Sequence, residues 1–313
     1  MSCCKDNIRD GFLTSAEFSK KRNQESDVSN MVEIPEGTYT VGCDLNLGYG
    51  VDNEGPAIIV KTKAFLMDKT SVTNREFAQF VEDTQYITES ERLGKSYVFH
   101  LLLNKDKPGE HVRDLAWWLD VDGANWKHPF GDERSYLELL DHPVVHITRN
   151  DALAFCVWAD KRLPSEVEWE IAARANTSTV YPWGDELEID GVHNCNVWQG
   201  NFPFENDALD GFVGTAPANS FYENQFGLVQ MIGNVWELCS NHARVPLNTI
   251  SKSSLEEQIE DHTQTNEEFY AAKGGSFLCH HTYCNRYRSG ARNAIHHASA
   301  SSNVGFRCVK DLP

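Results

Sequence analysis

The chain has 313 residues, with 28 Lys and Arg against 46 Asp and Glu and a formal net charge of −18. A hydrophobic fraction of 41% and a charged fraction of 24% belong to a folded chain with ample core rather than a disordered one. So acidic a balance excludes binding to nucleic acid or an anionic membrane surface and leaves room for cations, and no apolar run reaches the roughly 20 residues that span a bilayer.

Residues 1–30 are polar and aperiodic, a flexible tail without the apolar segment of a secretory leader, so a cytoplasmic protein is expected. Residues 31–313 follow with no linker or repeat and read as one domain. Met31–Val41 is strand-like, interrupted at Pro35 and a Glu36-Gly37 turn. Three helix starts share one spelling, Ser or Thr followed three residues later by an acid: Thr73 with Glu76, Thr148 with Asp151, and Ser165 with Glu168. Each is followed by apolar residues at helical spacing. Trp117-Trp118-Leu119 through Trp126 reads as a packed loop able to wall a peptide groove. From Tyr181 to Trp236, Gly, Asn, Pro and aromatics replace any period, so bound metal or tryptophan packing must fix the chain there. Residues 252–269 are acidic and polar and read as a solvated surface insertion.

Nine cysteines are too few for a disulfide scaffold, and their odd number leaves at least one thiol unpaired. Cys279 and Cys284 stand five residues apart, which is not the spacing of a structural zinc site. Neighbouring His280 and His281 would face opposite ways on a strand. The pair is a redox dithiol, a Cu(I) clamp suited to soft sulfur, or two unrelated buried thiols. Arg286, Arg288 and Arg292 follow, either paired internally with carboxylates or stabilising a thiolate. Asn196-Val197 with Asp210-Gly211-Phe212, and Gly233 through Glu237, offer carboxylate, amide and flexible backbone oxygens of the kind Ca²⁺ accepts.

The segment GGSFLCHHTYCNRYRSGARNAIHHASASSNVGFRC (274–308) resembles the catalytic part of the formylglycine-generating enzymes, or sulfatase-modifying factors. WWLDVDGANWKHPFG (117–131), residues 142–175, YPWGDEL (181–187), NVWQGNFPFENDALDGFVGTAPANSF (196–221) and FGLVQMIGNVWEL (226–238) resemble the family in the same order. The resemblance implies a single mixed α+β domain related to C-type lectins and poor in regular structure. It implies an oxidase that uses O₂ and Cu(I), held by Cys279 and Cys284, to convert a cysteine of an unfolded sulfatase chain, in a Cys-x-Pro-x-Arg type motif, into Cα-formylglycine. Ser276 and Trp236 match residues of the oxygen pocket and Tyr283 matches their neighbour. A monomer is expected.

The resemblance also implies two structural calcium ions. Asn196, Val197, Asp210 and Phe212 match the first site; Gly233, Val235 and Glu237 match the second, with Gln230 where an Asn ligand is expected. Cys156 and Cys308 match one of two family disulfides, while Ala173 and Ser289 stand where the other would be. Both departures from the mammalian pattern, the missing bridge and the missing leader, imply a bacterial-type enzyme. Cys3 and Cys4 read as unremarkable tail thiols. Two rivals are a non-catalytic peptide- or glycan-binding module on the same fold, and an iron-dependent sulfoxide synthase, for whose added helical domain this chain has no spare length.

Overall fold

The computed structural model describes residues 27–312, apart from 46, 105–108, 114 and 265–267. The tail expected over residues 1–30 lies, as far as residue 26, outside the described residues, together with Cys3 and Cys4.

Five α-helices occur among the described residues: α1 (Asn74–Thr84), α2 (Glu89–Leu93), α3 (Arg149–Ala159), α4 (Glu166–Arg174) and α5 (Leu255–Gln264). Helices α1, α3 and α4 start where expected, each on a reciprocal cap in which the Ser or Thr oxygen accepts an otherwise orphan amide and the acid answers in return. Thr88 and Glu91 cap α2 in the same way, although its five residues are too short to show an apolar period. Every residue of α3 is buried, so it forms the centre of the core. Around it the rings of Phe77 and Phe155 stack at 6.0 Å, and Phe306 meets Phe155 edge-on at 5.3 Å.

Strand Phe65–Asp68 lies between Met31–Ile34 and Val309–Asp311 and pairs antiparallel with both, so the first and last described strands share one sheet. Gly37–Val41 pairs with Ile58–Thr62. The sheet that carries the site has the order Asn293–His296, Phe269–Lys273, Trp236–His242, Val304–Gly305; its first three strands are antiparallel and the last is parallel to its neighbour. Between Tyr181 and Trp236 the named strands are two residues long, and side-chain amides do the work of ladders. Asn224 Nδ2 donates to the carbonyls of Ala172 and Ala173, while Asn234 accepts from Ala216 N–H and donates back to its carbonyl. The result is one mixed α+β domain.

Two expectations need correction. Trp117, Trp118 and Leu119 lie on a strand, Leu115–Asp122, and not on a loop. Consecutive tryptophans hide the alternation that buries Leu119 and Val121. The 252–269 segment is not wholly solvated either. Leu255 and Ile259, four residues apart among the acids, turn one face of α5 onto the core. Between them Gln258 is buried and bonds both the amide and the carbonyl of Leu163.

Candidate active site

Strand Phe269–Lys273 runs into Gly274 and Gly275, whose φ of +90° and +82° turn the chain under the site. A Cβ on Gly275 would stand 2.7 Å from that of Tyr287, so this passage requires glycine. The next turn closes through Cys279 N–H donating to Ser276 O (2.9 Å) and Cys284 N–H to His280 O (2.7 Å). Five residues of separation thereby become 3.1 Å between Cys279 Sγ and Cys284 Sγ. Both are buried free thiols. His280 and His281 lie on this turn rather than on a strand; their rings are 4.1 Å apart instead of facing opposite ways.

A cavity of about 440 Å³ opens over the sulfurs, with Ser276, Trp236 and Tyr283 all in its lining. Ser276 N–H points at Cys279 Sγ (3.4 Å), and its Oγ accepts from Asn303 Nδ2 at 3.0 Å. Asn303 also accepts the Trp236 amide at 2.9 Å, so one side chain and its backbone place two site residues. No sequence signal marked Asn303. Tyr283 stacks on Phe202 at 4.3 Å and meets Trp117 edge-on at 5.3 Å; Trp118 lines the cavity from the same strand.

The three arginines divide. Arg288 pairs with buried Glu54 through two bonds of 2.8 and 2.7 Å, and Arg292 pairs with Glu166 and donates to Asn53 O. Those two are internal pairs. Arg286 lines the cavity, fixed by Asp52 at 2.6 and 3.2 Å and stacked over Tyr49 at 4.4 Å. Asp52 and Tyr49 lie more than two hundred residues earlier, beyond the reach of any local pattern.

Burial pushes the Cys279 thiol well above its ordinary range, reinforced by Cys284. Cys284 moves the other way, because the Cys279 S–H donates to it and Arg286 stands beside it, against the cost of burial. The two sulfurs are therefore unequal: Cys279 holds its proton more tightly and Cys284 gives its proton up more readily. Burial raises Tyr283 to about 12, so it is a neutral phenol at physiological pH. Among the described residues, no group of three or more His, Cys, Asp or Glu side chains gathers as a metal cluster, and no carboxylate lines the cavity. What remains is a two-sulfur donor set without carboxylates, which fits a soft monovalent ion such as Cu(I) better than a hard one.

The oxygens expected to take calcium differ between the two sets. In the first, buried Asn196 Oδ1 has no partner, and Val197 O and Asp210 Oδ2 converge on one donor, Gln199 Nε2. Phe212 N–H binds Asp210 Oδ1 at 2.9 Å. A buried orphan amide oxygen, with a carboxylate and a carbonyl in the same set, has the donor chemistry that suits a hard cation. In the second set Gln230 Oε1 accepts from Asn234 at 2.7 Å, and the Glu237 carboxylate is taken by Arg307 at 2.7 Å and by the Trp169 indole at 2.6 Å. Gly233 and Val235 complete that set, so its oxygens other than that engaged carboxylate are neutral. Cys156 and Cys308 are adjacent free thiols, 3.7 Å apart, and Ala173 and Ser289 are fully buried.

Residues 15–312 match the sulfatase-modifying factor enzyme 1-like domain family. The chain is 42% identical over 306 residues to the formylglycine-generating enzyme of Thermomonospora curvata, covering 96% of this chain and 99% of that relative. It is 36% identical to a Bos taurus protein named inactive Cα-formylglycine-generating enzyme 2, over 90% of this chain and 87% of that one. Among solved structures, PvdO from Pseudomonas aeruginosa superposes with a TM-score of 0.64 at 23% identity over 90% of this chain and 94% of that one, a likeness of fold.

Proposed function

The chain belongs to the sulfatase-modifying factor enzyme 1-like family, and from that premise we propose that it activates sulfatases by converting one of their cysteines into Cα-formylglycine with O₂. The observation that carries this reading is the Cys279–Cys284 pair, 3.1 Å apart at the base of a cavity. A fold used only for binding has no need of two converging sulfurs.

The chemistry must balance. Removing two hydrogens from the substrate's –CH₂–SH leaves a thioaldehyde, and water then exchanges sulfur for oxygen, giving the aldehyde and H₂S. The two electrons released reduce O₂ to H₂O₂, or to water if an external thiol pair supplies two more. Cys279 and Cys284 would hold Cu(I), which supplies the redox partner for O₂ and a soft acceptor for the substrate sulfur. Each remaining task falls to the chain. Cys284, the more acidic of the two, would be the first to offer a thiolate, and Cys279 the second. Ser276, fixed by Asn303, holds the Cys279 sulfur through its N–H. Trp236 and Tyr283 narrow the cavity and keep bulk water from the reacting carbon. The apolar side chains of Leu115, Trp118 and Phe269 give an unfolded peptide its wall.

Calcium in the first oxygen set would be structural. Cys279→Ser and Cys284→Ser should each abolish aldehyde formation on a Cys-x-Pro-x-Arg peptide while leaving the thermal melt in place. Full activity in either variant would refute the assignment.

A further inference from the structure

The first oxygen set and the cysteine pair are joined by one residue. Val197, whose carbonyl belongs to the cation set, precedes Trp198, whose backbone N–H donates to Cys279 O at 3.1 Å. The buried Trp198 ring meets Phe202 edge-on at 5.1 Å, and Phe202 stacks on Tyr283. Next in the chain is Gln199. Its Nε2 donates to Val197 O and, at 3.0 Å, to Asp210 Oδ2, while its Oε1 accepts the Asp210 amide at 3.4 Å. Its own carbonyl accepts Asp207 N–H at 2.8 Å. One amide group thus ties the two ends of the loop Asn196–Asp210 by bridging two oxygens of the candidate cation set.

We propose that Gln199 is a positioning residue that stands in for the cation, holding this loop against Cys279 when no calcium is bound. The proposal rests on the calcium part of the preceding reading and on none of its copper chemistry. Without the amide, Val197 O and Asp210 Oδ2 would lose the donor they share, and the loop would have to open or take up a cation. With the amide, the loop and the Cys279 carbonyl it anchors keep their places in either state. Occupation by calcium would then require the amide to withdraw.

The test uses full-length, copper-free protein and reads iodoacetamide labelling of Cys279 and Cys284 by mass spectrometry, in EGTA and in millimolar CaCl₂. Wild-type labelling should change less than about twofold between the two buffers. Gln199→Ala should label roughly tenfold or more faster in EGTA and return to the wild-type rate with CaCl₂, since local opening exposes the sulfurs. A Gln199→Ala chain that folds only with CaCl₂ would support the same conclusion, whereas one unfolded in both buffers would overturn it. Gln199→Glu, which swaps the donor for a further anionic oxygen, should bind calcium roughly tenfold or more tightly than wild type by calorimetry. Gln199→Ala labelling at the wild-type rate in EGTA, wild-type sulfurs that open on chelation as far as the variant's, or unchanged calcium affinity in Gln199→Glu would each overturn the proposal. None of these readouts involves O₂, copper or a substrate peptide, so their failure is separable from failure of the oxidase reading.

Discussion

Replacing Glu237 by Gln tests how the second oxygen set is held. The Glu237 carboxylate receives Arg307 Nε and Nη2, both at 2.7 Å, and the Trp169 indole at 2.6 Å. Arg307 is 0% exposed and Glu237 3%, so neither charge has water to fall back on. Glu237→Gln keeps the shape and removes the charge, leaving a buried guanidinium without its counter-ion. Breaking such a pair costs about 3–5 kcal/mol. At about 2 °C per kcal/mol for a large domain, the melting temperature should fall by roughly 6–10 °C. The assay is a thermal melt by circular dichroism in EGTA and again in CaCl₂. The same deficit should appear in both buffers, because the carboxylate answers to arginine rather than to a cation. A variant that melts with wild type in EGTA and separates from it only when calcium is added would refute this reasoning.

His146 is fully buried, and burial holds its imidazole down at about 4 against an ordinary 6.5. The unfolded chain therefore binds the proton first, so the stability this residue contributes is complete above pH 6.5 and is lost as pH falls toward 4, by about 3 kcal/mol in all. His146→Asn, which tolerates the positive φ of this position, should flatten that part of the stability curve in urea titrations at pH 7 and 4.5; an unchanged slope would rule the mechanism out. Arg286→Leu should raise the Cys284 pKa and slow its alkylation at neutral pH by roughly three- to tenfold, moving the rate profile to higher pH, with Arg286→Lys in between. Equal profiles for all three proteins would mean that Arg286 has no part in lowering the Cys284 pKa.

Local chemistry was legible in the sequence where both partners sit within a few residues of each other. The caps at Thr73, Thr148 and Ser165 are three-residue relations, and each marks a helix start. The same spelling, Ser254 with Glu257, stands at the start of α5 and makes the same reciprocal bonds, but only two apolar residues among many acids decide which face of that helix is buried. The spacing of Cys279 and Cys284 left three readings open, because only the turn through Ser276 and His280 carbonyls brings the sulfurs together. Ser276, Trp236 and Tyr283 were marked by resemblance alone, and the cavity gathers all three. Asn303, Asp52 and Tyr49 act across long sequence distances on side chains that carry no motif. Gln199 was hidden in the open, one residue past a tryptophan, because an amide's role depends on which oxygens face it.

The proposed activity is oxidation of a peptidyl cysteine by O₂ at the site that Cys279 and Cys284 form. Its most direct test is mass spectrometry of a Cys-x-Pro-x-Arg peptide incubated with Cu(I)-loaded protein, in air and under argon. In air the peptide should lose its thiol mass and be captured by an aldehyde reagent, and under argon it should remain intact. A peptide that binds yet keeps its thiol in air would contradict the claim and leave a binding module on this fold.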